Sequence, residues 1–496
     1  MLRPCGAFDR PLEKALSTAS NDQVARLWNL CNALKDDGVT YHQYLTELSY
    51  LIFLKMASES GMDDRLPSGA RWSHLLASDT AQVLERYRQA LQLLSESKYP
   101  YIAAIFDDVS SSVRRPATLM ALLEGIERFE WFRVKQEGLG DLYEGLLERN
   151  ATEKRSGAGQ YFTPRTIIDS MVRVTQPSPK DVIQDPALGT AGFLISAARY
   201  IVAKHGRSLS TAQLSKIFER SFTGMEHVHD TYRLALMNMF LHGFTTPEGI
   251  PGVRYGDTLS EGQSLPAASL ILSNPPFGTK RGAGLPARQD LPYPTSNKQL
   301  CFLQHIYLGL RDGGRAAVVV PDNVLFEDGI GKLVRQDLMN QCSLHTILRL
   351  PPGIFYAASV KTNVLFFTKS KGASKGTSET WYYDLRGALN GRVKQRNLHR
   401  DQLQDFEILF GSDPWVSEKA LNLRREVGET ASFRRVDRQE IHANDDNLNI
   451  AFPEVDGQGD AEPFQDPVTA LRQIIKDLNN LTDSLGQLAE NVERTS

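Results

Sequence analysis

Ser269-Leu270-Ile271-Leu272 is a short apolar run, and Asn274-Pro275-Pro276-Phe277 follows one residue later. The run has the length and composition of a strand buried in a parallel sheet. Two consecutive prolines supply no backbone N–H and cannot continue a ladder, so the strand ends at Asn274. Ligands of open α/β sheets bind just beyond the carboxyl ends of strands. At that place the chain sets a side-chain amide (Asn274), a free carbonyl (Pro275) and a flat apolar face (Phe277). The trio suits a planar exocyclic amine. The amide oxygen and the carbonyl each accept one N–H, and the ring stacks on the heterocycle that carries it. Such an amine is a weak nucleophile because its lone pair is spread into the ring. Two fixed acceptors favour a more pyramidal nitrogen as a bond forms, which stabilises the transition state without a charged base. Pro-Pro also ends strands in ordinary turns, so the flanking sequence has to decide.

Upstream, Val182-Ile183-Gln184-Asp185-Pro186-Ala187-Leu188-Gly189-Thr190-Ala191-Gly192-Phe193 reads as a strand, a small-residue turn and a helix continuing through Leu194, Ala197 and Ala198. Glycine lets a ligand approach the backbone closely, and the helix start offers free N–H groups. The pattern is not the Gly-x-Gly-x-x-Gly of dinucleotide sites. Asp185 stands where a pyrophosphate would need room, so the turn favours a nucleoside carrying an amino acid. Phe222-Thr223-Gly224-Met225-Glu226 is the next strand. An acid at the end of a second strand is the usual partner of ribose hydroxyls. Its distance from the turn exceeds the usual gap of about 20 residues, and residues 201–221 fill the difference with a longer helix and loop. Asp257, after a third short strand, is a candidate acceptor for an adenine amino group. Earlier, Gln160-Tyr161-Phe162-Thr163-Pro164-Arg165 follows a polar Gly-rich hinge. Thr163 reads as an N-cap with Pro164 at the first helical position, opening a helix through Ile167, Ile168, Met171 and Val172.

Downstream, residues 278–299 form a Gly- and Pro-rich loop carrying Lys280, Arg281, Arg288 and Lys298. This composition fits a phosphate grip or a solvated surface loop equally well. Three further strands lie at Arg315 to Pro321, His345 to Leu350 and Asn363 to Phe367, and a fourth at Trp381 to Leu385. Asp322-Asn323-Val324-Leu325-Phe326 faces the same crevice. The polar stretch Lys369 to Thr380 reads as a domain boundary, and the basic series from Arg392 to Arg438, interleaved with acids, as a solvated face.

At 496 residues the chain is too long for one ordinary core, and 41% hydrophobic content is enough for several. The expected arrangement is an N-terminal all-α domain (1–150), an α/β catalytic domain with a mainly parallel sheet (151–372), an extension (373–465) and a terminal helix (466–496). Helical stripes run through Val24, Leu27, Trp28, Cys31 and Leu34, through Tyr44, Leu48 and Leu51, and from Val83 to Leu94. In the tail, Asp466 and Pro467 open a helix with Leu471, Ile474, Leu478, Leu481, Leu485, Leu488 and Val492 at spacings of three and four, a heptad seam that needs a partner. Lysine plus arginine number 56 against 59 acids, so any nucleic-acid surface is local. The four scattered cysteines lack metal-ligand spacing and point to a reducing compartment. No apolar run is long enough to span a bilayer, which leads us to expect a soluble, cytoplasmic protein.

Together these motifs resemble S-adenosylmethionine-dependent amino methyltransferases, and more closely the modification subunit of type I restriction–modification enzymes, the DNA adenine N6-methyltransferases. The resemblance is carried by residues 160–165, 185–193, 274–278, 294–299, 321–326 and 361–369, and by the helical segment 27–56. It covers nearly the whole chain and weakens after Thr380. Leu188 stands where many relatives have alanine, and Ala191 where many methyltransferases have glycine. The resemblance implies a Rossmann-like methyltransferase fold. It gives the cofactor to Gln160, Tyr161, Phe162, Thr163, Pro164, Arg165, Asp185, Gly189, Thr190, Ala191, Gly192, Glu226 and Asp257. It gives the target base to Asn274, Pro275 and Phe277. The base must leave the duplex, because its amine is otherwise paired and stacked. A separate specificity subunit is implied, joined by two modification subunits, with an endonuclease subunit able to add. The heptad tail is the candidate docking helix.

Two other readings share parts of this pattern. Asn-Pro-Pro-aromatic also serves methyltransferases of glutamine side chains in release factors, but those favour tyrosine after the prolines and lack a large helical N-terminal region. A catalytically silent scaffold binding DNA or partners would be expected to carry a broken motif, and Asn274 is intact. Cytosine C5 chemistry needs a Pro-Cys nucleophile, and neither Cys301 nor Cys342 follows a proline.

Overall fold

The computed structural model describes residues 41–129, 131, 163–244, 252–278, 288–355, 360–372, 376–388 and 398–452. The stripe expected at Val24 to Leu34, residues Gln160, Tyr161, Phe162, Lys280 and Arg281, and the heptad tail lie outside them.

The chain begins with α1 (Tyr41–Glu59), α2 (Trp72–Leu76), α3 (Val83–Ser95), α4 (Pro100–Ile105) and α5 (Pro116–Glu127). Apolar side chains at three- and four-residue spacing bury one side of α3: Val83, Tyr87, Ala90, Leu91 and Leu94. The almost fully buried Lys55 donates to Glu127 Oε2 at 2.7 Å, and Trp72 Nε1 donates to the same oxygen at 2.6 Å. That shared acceptor ties α1, α2 and α5 together and satisfies a buried cation.

The α/β part follows as α6 (Arg165–Thr175), β1 (Ile183–Asp185), α7 (Gly192–His205), α8 (Thr211–Arg220), β2 (Phe222–Glu226), α9 (His229–Leu241), β3 (Gly252–Tyr255), α10 (Thr258–Glu261) and β4 (Ala268–Ser273). It continues with α11 (Lys298–Gly309), β5 (Leu310–Pro321), α12 (Asn323–Phe326), α13 (Ile330–Gln341), β6 (Cys342–Leu350), β7 (Thr362–Lys369) and β8 (Glu379–Asp384). Last come α14 (Leu385–Ala388), α15 (Asp401–Phe410), α16 (Glu418–Val427), β9 (Phe433–Asp437) and α17 (Arg438–Ala443).

The described strands form one sheet in the order β3-β2-β1-β4-β5-β7-β6-β8-β9. β3, β2, β1, β4 and β5 are parallel, and β7 runs antiparallel between β5 and β6. This is the Rossmann-like methyltransferase architecture that the resemblance implies. The order reverses between β1 and β4, so a crevice opens beyond their carboxyl ends. Strand periodicity sends alternate residues into two cores. Leu270, Leu272, Ala317 and Val319 face the side covered by α6, α7 and α9. Ile271, Ala316, Val318 and Val320 face the side covered by α11 and α13. The N-terminal helices share the first core: Phe53 meets Phe240 of α9 at 5.1 Å, and Tyr101 donates to the Leu236 carbonyl.

Three expectations need correction. The break placed at 372 falls inside this single sheet, because β8 pairs with β6 and β9 with β8. The basic series is not one solvated face: Phe433 and Val436 are buried in β9, and Arg424 is buried against the carbonyls of His345 and Phe410. Residues 201–221 hold a second helix, α8, rather than one longer helix and a loop. Its N-cap Ser210 and Gln213 form a reciprocal capping box.

Candidate active site

Two Ser–Asp pairs join β1 to β4. Ser269 Oγ donates to Asp181 Oδ1 where the strands begin, and Ser273 Oγ to Asp185 Oδ1 where they end, each at 2.7 Å. Asp185 is 1% exposed and also accepts from the Ala187 N–H. Burial pushes its carboxyl up to about 7, with the nearby Glu226 charge adding to the rise. The turn beyond it is tight. Gly189 and Ala191 both have left-handed backbones, with φ of +54° and +67°. Ala191 pays the steric cost that glycine would avoid there, of order 1–2 kcal/mol. The Asn238 side chain on α9, fully buried, donates to the Thr190 carbonyl at 2.9 Å and holds the turn from below.

Glu226, at the end of β2, accepts from the Gly189 N–H through one oxygen and the Val228 N–H through the other, both at 2.8 Å. Burial raises its carboxyl despite those donors. Asp257 caps α10, accepting from the Leu259 N–H and the Ser260 hydroxyl. Thr258 donates to the Pro186 carbonyl at 2.5 Å, which closes the ring of strand ends. Asp185, Glu226 and Asp257 form no ion pair among the described residues. Uncompensated acids around a glycine turn suit a ligand with positive charge and hydroxyls, and repel phosphate.

Asn274 leaves β4 at the same end of the sheet. Its Nδ2 donates to the Thr163 hydroxyl at 2.8 Å. Pro275 is buried, and Phe277 is half-buried against the first core. Thr163 is therefore not the helix cap expected of it. α6 starts at Arg165 with Pro164 at the cap position, and the Pro164 carbonyl accepts from Ile167 and Ile168. Arg165 pairs with Asp169, which also accepts from Ser196 on α7. The structure thus gathers Thr163, Asp185, the 189–192 turn, Glu226, Asp257 and Asn274 at one end of the sheet.

Arg288 does not present its charge to solvent. It is 6% exposed, paired with Asp290, and donates to His305 Nδ1 at 2.7 Å. Burial and the adjacent guanidinium push the His305 imidazole down to about 3. Gly278 O accepts from the Lys298 N–H, and Asn297 caps α11, so both ends of the 278–297 loop are fixed. At the end of β5, Asp322 is held by Arg386 and Asn363; these donors outweigh burial and keep it below the ordinary carboxylate range. Sequence reasoning missed Ser273, Asn238 and Thr258. Asn238 alone left a signal, as a polar residue inside the apolar stripe Leu236, Met237, Met239, Phe240.

Comparison with known proteins bears on this geometry directly. The N-6 DNA Methylase family matches residues 134–456. The chain is 40% identical over 513 residues to the EcoKI methylase subunit of Escherichia coli K12, covering 96% of each chain. It is 40% identical over 503 residues to the StySPI methylase subunit of Salmonella potsdam, covering 95% of this chain and 94% of that one. This chain belongs to the N-6 DNA methylase family, among the methylase subunits of type I restriction enzymes. Its activity is site-specific, adenine-specific DNA methyl transfer (EC 2.1.1.72), which sets aside the glutamine methyltransferase and silent-scaffold readings. The crystal structure of the EcoKI M protein superposes with a TM-score of 0.55 at 37% identity, over 94% of this chain and 96% of that one. A subunit from a structural study of type I complex assembly matches in fold with a TM-score of 0.71 at 24% identity, over 96% and 99%.

Proposed function

We propose that the crevice between β1 and β4 holds S-adenosylmethionine and a flipped adenine, with Asn274 and the Pro275 carbonyl accepting the two N–H bonds of the adenine amine. One observation carries the reading. Asn274 leaves the sheet at the topological switch point, beside the strand whose end bears Asp185 and the glycine turn. The residues present fit the cofactor: three acids that form no ion pair among the described residues lie around a turn with close backbone approach. Asp185 would take its amino group, Glu226 the ribose hydroxyls and Asp257 the adenine end, with residues 160–165 and 189–192 also binding it. When bound, the cofactor supplies an electrophilic methyl group. The protein supplies orientation and two aimed dipoles at the amine, in a site where they need not reorganise. Phe277 offers a face for the extruded base.

In this reading the chain works on double-stranded DNA in the cytoplasm, two copies joining one specificity subunit that selects the site. An endonuclease/translocase subunit adds to that assembly, and the heptad tail of residues 466–496 docks on the partner. The test is tritiated methyl transfer to unmethylated DNA, with and without a specificity subunit. Asn274→Ala should keep cofactor binding and lose turnover; full turnover would refute the assignment. Truncation after Gln465 should abolish co-purification with the specificity subunit, and unchanged co-purification would refute the docking role.

A further inference from the structure

We infer that Thr163 is a positioning residue that holds the Asn274 carboxamide in place beside the target amine. A carboxamide has one acceptor and one donor end of nearly the same shape, and rotation by half a turn exchanges them. With Oδ1 forward, Asn274 accepts from the amine; with Nδ2 forward, it presents hydrogens to hydrogens. The Thr163 hydroxyl accepts from Nδ2 at 2.8 Å, a bond that steadies the carboxamide with its acceptor end away from Thr163. The inference rests on the role given to Asn274 above and adds a second residue to it.

The support behind Thr163 is rigid. It is 8% exposed and precedes Pro164, which restricts its backbone to extended conformations. Pro164 anchors the first turn of α6 through its carbonyl, and Asp169 bridges Arg165 to Ser196 of α7. The hydroxyl is therefore delivered from a fixed helix start. Thr163 is also among the residues proposed to bind the cofactor, so the amide and the methyl donor share a neighbour.

The test compares Thr163→Val, of the same shape but without the hydroxyl, with Thr163→Ser, which keeps it. Each is measured in methyl transfer by the assembled modification complex, with cofactor affinity read separately by titration calorimetry. Thr163→Val should lower kcat about tenfold, the worth of one buried hydrogen bond, and shift cofactor affinity much less. Thr163→Ser should stay within about twofold of the parent. Unchanged kcat for Thr163→Val, or an equal loss for Ser and Val, would overturn the inference. Full turnover by Asn274→Ala would overturn the role of Asn274 itself, and this inference with it. Loss of turnover by Asn274→Ala beside a fully active Thr163→Val would overturn this inference only.

Discussion

Ser273 donates to Asp185 across the ends of β1 and β4 at 2.7 Å, and four residues earlier in each segment Ser269 makes the same bond to Asp181, just before β1. The two aspartates differ in what else surrounds them. Arg315 grips Asp181 through two bonds of 3.0 Å, and with Ser269 it outweighs burial and holds that carboxyl below its ordinary value. No cation reaches Asp185 among the described residues, so burial dominates and lifts it to about 7. One pair secures the fold, and the other leaves an acid waiting for a positive ligand.

The stability consequences have opposite signs. Folded Asp185 keeps a proton that the unfolded chain gives up near its ordinary value of 3.8, so its contribution is complete below that pH and lost as pH rises through about 7. Asp185→Asn should therefore stabilise the ligand-free protein, by about 1–3 kcal/mol at pH 8, with a smaller gain at pH 5. Folded Asp181 is depressed, so its contribution is present above the ordinary carboxylate value and lost as pH falls through the lower folded one. Asp181→Asn takes the counter-charge from the buried Arg315 and leaves it neutral acceptors, among them the Thr175 and Gln176 carbonyls, and should cost about 3 kcal/mol at pH 7. Thermal melts of both variants across this range check the signs. A gain for Asp185→Asn that does not grow with pH sinks the first claim.

Cofactor binding should carry the same signature. A ligand ammonium beside Asp185 favours the ionised carboxylate, so affinity for S-adenosylmethionine should rise with pH up to about 7. Between pH 5.5 and 7 the increase should be about tenfold, below the range where the ligand's own amine begins to lose its proton. Calorimetric titrations at the two pH values measure it. Asp185→Asn should flatten the dependence, and a wild-type affinity independent of pH would remove Asp185 from the cofactor site.

Asn238 offers a case where packing and function separate. Its Nδ2 holds the Thr190 carbonyl, while its buried Oδ1 has no partner among the described residues. Asn238→Leu removes a useful donor and an orphaned acceptor together, so stability should change by no more than about 1 kcal/mol. The turn at Thr190 loses its tether, and cofactor affinity should fall about tenfold. Asn238→Asp puts a carboxylate against a carbonyl in a fully buried place and should cost more than about 3 kcal/mol. Melting curves with calorimetry separate the two effects; a Leu variant with parental affinity refutes the tether.

What the sequence disclosed follows from burial. β4, β7 and the second half of β5 carry near-continuous apolar runs because both faces of the sheet are covered, and such runs are read without a partner in view. β9 escaped because Phe-Arg-Arg-Val-Asp sits at the sheet edge, where Arg435 pairs with Asp437 and Glu379 and only Phe433 and Val436 turn inward. Asp185, Glu226, Asp257 and Asn274 were legible because each ends or follows a strand. Thr163 was singled out for another role, since Thr-Pro is a strong capping signal and a hydroxyl's partner 111 residues away leaves no local trace. Asn238 and Ser273 act on neighbours that only the folded sheet brings near.

Arg288 separates a phosphate grip from a buried strut. It lies in the basic loop after Phe277, yet its guanidinium is committed to Asp290, to His305 Nδ1 and, at 3.4 Å, to the Thr258 carbonyl. A residue that neutralises one DNA phosphate contributes about 0.9 to the slope of log affinity against log salt. Arg288→Met should leave that slope unchanged for the assembled complex, because its charge already has protein partners. It should instead cost stability, about 1–3 kcal/mol, since Asp290 is partly exposed and can be rehydrated while His305 Nδ1 loses its donor. It should also weaken cofactor binding through Thr258, which donates to the Pro186 carbonyl. Salt-dependent DNA binding measured beside thermal melting decides the matter: a slope reduced by about one, with stability intact, returns Arg288 to the DNA.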